Sequence, residues 1–318
     1  MLTYILFVFG FVVLIKGADL LVDGSVSIAF KLKISTIVTG LTIVAFGTSS
    51  PEFIVNIFAS AEGNTGIAIG NILGSNIANI LLILGVSSII YPLVTKKNTV
   101  WKEIPLSLLA VVIIGVLVND AFFDGSTFSA LTRIDGIVLL TFFIIFLYYT
   151  YSISKVRRET ADLHIKELSY LKSSIYIIAG LIGLVLGGKW IVDGAVKIAE
   201  LFNVSQKLIG LTIVAVGTSL PELATSVVAA YKKHIDIAIG NVVGSNIFNI
   251  FWVMGFSSLI RPLPFSRDCI IDILMVIFST IILFVIMFVG KKRTIEKWQG
   301  ILMVLIYIVY ILFSIYNN

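Results

Sequence analysis

Two glutamates, Glu52 and Glu222, stand 170 residues apart, each closing the same short motif: GTSSPE at 47–52 and GTSLPE at 217–222. Each motif interrupts an apolar run, IVTGLTIVAF…FIVNIFASA in one case and LIGLTIVAV…LATSVVAAY in the other. A charged side chain at bilayer depth is expensive and must face protein or water. One such residue fits a hydrogen-bonded strut between helices. Two at equivalent positions point to a shared function.

The rest of the motif supplies oxygen. Pro51 and Pro221 each remove a backbone donor and crowd the preceding turn, which frees carbonyls around Ala45–Thr48 and Ala215–Thr218. In lipid, unsatisfied carbonyls are tolerated only where they line a cavity or find another partner, and a bound cation is such a partner. Ser49 and Ser219 add hydroxyls; Thr48 and Thr218 offer both a carbonyl and a hydroxyl. A second motif, GNILGSNIAN at 70–79, returns as GNVVGSNIFN at 240–249. Its Ser75 and Asn79 lie four apart, hence on one helical face, and Ser245 and Asn249 repeat the pair. Gly70, Gly74, Gly240 and Gly244 permit close helix approach. Asn76 and Asn246 read as structural amides, and Asn56 and Ser226, one turn beyond the glutamates, as supports behind them. Together these groups form an all-oxygen, hard-cation site without sulfur or imidazole. Ca²⁺ takes about six to eight oxygens in flexible geometry, whereas Mg²⁺ demands an octahedron and keeps its waters. Two glutamates neutralise one Ca²⁺ or two Na⁺, and competition for shared carboxylates enforces exchange. These residues do not by themselves fix the ions.

The elements that position these groups are membrane helices. The 318 residues are 58% hydrophobic and 13% charged, with mean hydropathy +1.07, against about 25% charged in a soluble domain. Ten apolar stretches reach bilayer-spanning length, centred on 2–22, 35–60, 66–91, 103–122, 132–153, 174–194, 205–230, 236–260, 269–290 and 296–316. The first, without a basic leader or a small-residue cleavage site, reads as a retained span. The single cysteine, Cys269, excludes an internal disulfide. His164 and His234 both fall in polar connections, which argues against a histidine metal centre. The pI of 9.1 does not mark a nucleic-acid binder. Sixteen of the 23 basic residues fall in alternate connections, which places those connections in the cytoplasm and both termini outside.

The halves are repeats. Residues 40–52 match 210–222 at 11 of 13 positions, and 66–79 match 236–249 at 10 of 14. Five spans per half is an odd number, so the second half enters the membrane upside down, as in many secondary transporters with midplane ion sites. The expected organisation is all-α: a first five-helix repeat over 1–154, a cytoplasmic linker over 155–173, and a second, inverted repeat over 174–318, with broken core helices.

On these residues the chain resembles the cation/Ca²⁺ antiporter superfamily, specifically its prokaryotic Na⁺/Ca²⁺ exchanger branch, over essentially all ten spans. The resemblance implies a core of spans two, three, seven and eight, crossed by long tilted spans one and six that slide. It implies that Glu52 and Glu222, with the carbonyls of Thr48 and Thr218, hold Ca²⁺. It implies Na⁺ ligands at Ala45, Thr48, Ser49, Ser75 and Glu52 and at Ala215, Thr218, Ser219, Ser245 and Glu222, with Asn79 and Asn249 lining the middle. The ions are then transported substrates rather than cofactors, moved as about three Na⁺ per Ca²⁺, by a protein functional as a monomer in the cell membrane. Asn249 stands where K⁺-dependent relatives carry aspartate. GNILG and GNVVG stand where the H⁺-coupled branch carries GNxxE, so Ca²⁺/H⁺ antiport is the runner-up. A membrane-embedded hydrolase using the glutamates as acid and base lacks a nucleophile–base pair or metal triad, and a channel has no need of the internal symmetry.

Overall fold

The computed structural model describes residues 2–119, 125, 129–155, 167–202, 215–265 and 267–317. His164, most of the connection between the halves, and the first part of the seventh expected span lie outside the described residues. Twelve helices are labelled here in chain order: α1 Leu2–Leu32, α2 Thr36–Thr48, α3 Ser50–Glu62, α4 Thr65–Ile90, α5 Thr99–Leu117, α6 Arg133–Ser154, α7 Tyr170–Leu201, α8 Ala215–Thr218, α9 Leu220–Tyr231, α10 Ile235–Ile260, α11 Arg267–Ile286 and α12 Lys297–Asn317. Among the described residues, eight continuous helices are long and apolar enough to cross a membrane. The α2–α3 pair makes a ninth span bent by 45°. The tenth is described only from Ala215, as α8 and α9. The fold is thus the expected ten-span inverted repeat.

Burial ranks the helices from centre to rim. In the most apolar stretch of α10 94% of residues are buried and in α4 78%, against 22% in α12. The centre is built from small residues. A Cβ added at Gly240 of α10 would sit 3.0 Å from Gly40 Cα and 2.9 Å from the Ile37 carbonyl of α2. Around this centre Leu41, Ile72, Ile77, Leu81, Val242, Ile247 and Phe251 pack into one core with α5, α6, α11 and α12. A second cluster joins α1, α7 and α9 through Leu14, Leu21, Leu184, Ile191, Ala224 and Ala229.

Three features depart from the expected elements. First, α1 and α7 run to 31 and 32 residues, about 46–48 Å at 1.5 Å per residue, so a helix of this length crosses a ~30 Å core only tilted. The α7 helix starts at Tyr170, inside the expected linker. Second, π-helical turns interrupt the central helices at Gly40–Val44, Asn79–Leu84 and Phe248–Met254. Third, four two-residue strands form two antiparallel pairs. β1 (Leu93–Val94) pairs with β4 (Thr294–Ile295), and β2 (Ala130–Leu131) pairs with β3 (Leu263–Pro264). Each pair ties one half to the other.

Candidate functional site: two carboxylates at a broken-helix crossing

The prolines stand just past the breaks, Pro51 beside the 45° bend between α2 and α3, and each begins the helix that follows. Ser49 (φ −81°, ψ 5°) and Ser219 (φ −87°, ψ 5°) leave helical geometry, and α3 and α9 start at the next residue. Pro51 and Pro221 then occupy the first turn, where a missing N–H is lost anyway. Glu52 and Glu222 fall in the same first turns, where the helix dipole favours negative charge. The Ala45 carbonyl accepts the Ser49 N–H at 2.9 Å and the Thr48 hydroxyl at 3.3 Å, so it is engaged within its own helix. Pro51 withholds its N–H from the carbonyl four residues back, which is Gly47, not Ala45.

The repeats exchange hydroxyls across the crossing. Ser49 Oγ donates to Glu222 Oε1 at 2.9 Å, and Ser219 Oγ to Glu52 Oε1 at 3.4 Å. Ser245 Oγ also reaches Glu222 Oε1, at 3.4 Å, while Ser75 Oγ lies 3.1 Å from Ser219 Oγ. Both glutamates are fully sealed, 0% and 1% exposed. Asn79 Nδ2 donates to Asn246 Oδ1 at 2.9 Å, and Asn249 Nδ2 to Asn76 Oδ1 at 3.1 Å. The supposedly structural Asn76 and Asn246 therefore orient the other two amides.

What these bonds leave over is a matched set of acceptors. Glu52 Oε2, Glu222 Oε2, Asn79 Oδ1 and Asn249 Oδ1 are buried without a hydrogen-bond partner among the described residues. The Asn79 and Asn249 nitrogens are committed elsewhere, so it is their oxygens that remain. Burying an unpaired carboxylate oxygen is costly, and a hard cation meets that cost with the oxygen chemistry these groups offer. Among the described residues no group of three or more His, Cys, Asp or Glu is arranged as a metal site. Negative charge at this crossing thus comes from two carboxylates, with neutral oxygens around them.

Six of the twelve expected residues are joined by these hydrogen bonds, Glu52, Glu222, Ser49, Ser219, Ser75 and Ser245, while Asn79 and Asn249 join the neighbouring amide pairs. The hydroxyls of Thr48 and Thr218 donate to Asn241 Oδ1 at 2.9 Å and Asn71 Oδ1 at 3.1 Å, and each also lies beside the carboxylate of the opposite repeat, Thr48 by Glu222 and Thr218 by Glu52. Ala45 is placed beside them at the end of α2, and Ala215 opens α8. Asn71 and Asn241 are residues the sequence reading missed. Asn241 also donates to the Glu222 carbonyl at 3.3 Å and to Ser226 Oγ at 3.0 Å, so it fixes both the threonine and the glutamate turn. Their signal was present in the repeated GN of GNILG and GNVVG. Asn56 Nδ2 holds the Glu52 carbonyl at 2.8 Å. A third buried carboxylate, Glu103, accepts from Tyr149 in the outer helices, away from this crossing.

Comparison with known proteins gives a consistent result. A family model described as sodium/calcium exchanger protein matches residues 2–152 and 172–316. The sodium/calcium exchanger MaX1 of Methanosarcina acetivorans is 31% identical, over 98% of both chains. An uncharacterized membrane protein of Methanocaldococcus jannaschii is 38% identical over 95% of both. Among solved structures, the sodium-calcium exchanger NCX_Mj soaked with 10 mM Na⁺ and no Ca²⁺ superposes with a TM-score of 0.84 at 37% identity, covering 98% of each chain.

Proposed function

The chain belongs to the sodium/calcium exchanger protein family, and on that footing we propose that it exchanges Na⁺ for Ca²⁺ across the cell membrane by alternating access. The carrying observation is the set of four buried oxygens without partners, two from each repeat, at Glu52, Glu222, Asn79 and Asn249. Ca²⁺ binds between the two carboxylates, completed by the Thr48 and Thr218 carbonyls. Na⁺ binds in two sets related by the pseudo-twofold axis of the repeats, Ala45, Thr48, Ser49, Ser75 and Glu52, and Ala215, Thr218, Ser219, Ser245 and Glu222, with Asn79 and Asn249 between them. Each carboxylate serves both loads, so Ca²⁺ and the full Na⁺ complement exclude one another. The exchange is electrogenic, about three Na⁺ for one Ca²⁺, because two carboxylates balance Ca²⁺ and leave one charge over when three Na⁺ bind. The protein works as a monomer of two inverted repeats, 1–154 and 174–318, with both termini extracellular and the connections rich in lysine and arginine in the cytoplasm.

The test is uptake of radioactive Ca²⁺ into proteoliposomes preloaded with Na⁺, compared with choline, K⁺ and an imposed pH gradient. Uptake that requires internal Na⁺ is expected. Uptake that ignores internal Na⁺, or that a pH gradient alone drives, overturns the reading.

A further inference from the structure

Although its repeats are equivalent, the structure is not symmetric. Helix α1 lies along α9, but its counterpart α7 does not lie along α3 in the same way. Ala224 on α9 is 8% exposed, while Ile54, its equivalent on α3, is 55% exposed. Phe58 is likewise bare at 63%, while Val228, its equivalent, is half-buried against α1 and α7. The covered end is fastened by charge. Lys232, just after α9, reaches back to Asp19 at 2.6 Å and Asp23 at 2.5 Å, both on α1.

Applying the repeat offset of 170 to this cluster gives an unexpected set. Lys232 maps to Glu62, Asp19 to Lys189, and Asp23 to Asp193. The core residue has changed from cation to anion, and the first partner on the crossing helix has changed from anion to cation. The attraction survives with its sign reversed. In this structure Glu62 and Lys189 are both exposed and not paired with each other. The Arg261 guanidinium lies against Gly63, the residue after Glu62, at that end.

Resting on the exchange reading above, we infer that these are two alternating latches. Lys232 with Asp19 and Asp23 holds α1 on α9 in the state shown, open at the Glu62 end. Glu62 with Lys189 holds α7 on α3 in the opposite state. Each latch forms only when the other is open, because α1 and α7 are packed into one another along a glycine seam and travel together. Gly17 of α1 is so close to α7 that an added Cβ would lie 2.8 Å from the Leu184 nitrogen.

The test is a charge reversal in the full chain in proteoliposomes. Glu62→Lys and Lys189→Glu each slow Na⁺-driven Ca²⁺ exchange about 3- to 5-fold, as expected for a single exposed pair, and the double variant recovers to within about twofold of the unaltered protein. A double variant as slow as the product of the two single effects overturns the latch. An independent reading uses cysteines at 62 and 189 in a Cys269→Ser background. Cross-linking that arrests the protein reversibly supports the latch, and failure to cross-link under any ion condition refutes it. Absence of Na⁺-driven exchange in the unaltered protein counts against the exchange reading instead, and formation of the 62–189 cross-link, read on a gel without transport, then decides the latch.

Discussion

Each site glutamate has one oxygen held by a serine of the opposite repeat and one left without a partner, and that division predicts what a neutral replacement does. Glutamine at 52 or 222 keeps the shape and can still accept the serine proton, but it removes the charge and turns an amide donor toward the cations. Exchange therefore falls by at least about 100-fold, roughly 2.7 kcal/mol of lost cation stabilisation, while the protein elutes and melts as a folded species. Retained exchange in both variants dismisses them as ligands. A second residue-scale effect lies at the Lys232 end. Burial pushes the His234 imidazole below its ordinary range, the Lys232 charge adds to this, and Asp23 opposes it. A folded state that binds the proton less readily than the unfolded chain loses stability as pH falls through the ordinary histidine range, near 6.5. The thermal midpoint should fall between pH 7.5 and 5.5, and it should fall less in His234→Gln. The glutamates were readable because a carboxylate in an apolar run has few explanations. Asn71 and Asn241 were not, because an amide among small residues reads equally well as helix packing. Only the three-dimensional crossing shows that each takes the threonine hydroxyl of the other repeat.

At the scale of elements, the α1–α7 seam makes the sharpest demand. Gly10, Gly17 and Gly24 on α1 and Gly180, Gly187 and Gly194 on α7 recur every seven residues, so each row stays on one face. A Cβ at Gly187 would come within 2.7 Å of the Leu14 nitrogen and 2.8 Å of the Gly10 carbonyl. Both are backbone atoms that cannot step aside. Gly187→Ala therefore destabilises despite alanine's better helix propensity, by about 1–3 kcal/mol of overpacking, whereas Gly188→Ala, whose nearest neighbour is Leu220 Cβ at 4.0 Å, is neutral or stabilising. Melting curves of the two variants in detergent check this. An equal response at both sites would overturn the close contact of the seam. The length of these helices was hidden in the sequence for a related reason. Lys16, Asp19 and Asp23 look like the end of a span, and ending the first one near residue 22 follows. Asp19 and Asp23 are instead matched by Lys232, a partner more than 200 residues away, so the helix continues. The π turns at Asn79–Leu84 and Phe248–Met254 leave no mark in the hydrophobic pattern, because one extra residue in a largely buried helix changes no polarity.

At the scale of the whole molecule, the repeat supplies two carboxylates, and the proposed exchange then predicts an electrical signature. One carboxylate from each half makes a pair, and inversion makes the two faces of the membrane chemically alike for the ions they meet. If three Na⁺ leave a vesicle as one Ca²⁺ enters, one positive charge moves outward per cycle. An inside-positive potential then favours Ca²⁺ uptake and an inside-negative potential opposes it. One elementary charge across 100 mV is worth about 2.3 kcal/mol, so reversing a clamp from 0 to 100 mV inside-positive raises the Ca²⁺ gradient reached at equilibrium about 50-fold at fixed Na⁺. Proteoliposomes clamped with a K⁺ gradient and ionophore measure this directly. Uptake indifferent to the clamp means two Na⁺ per Ca²⁺, a neutral cycle that two carboxylates alone can balance, and uptake that responds with the opposite sign removes Na⁺ efflux as the driving half of the reaction.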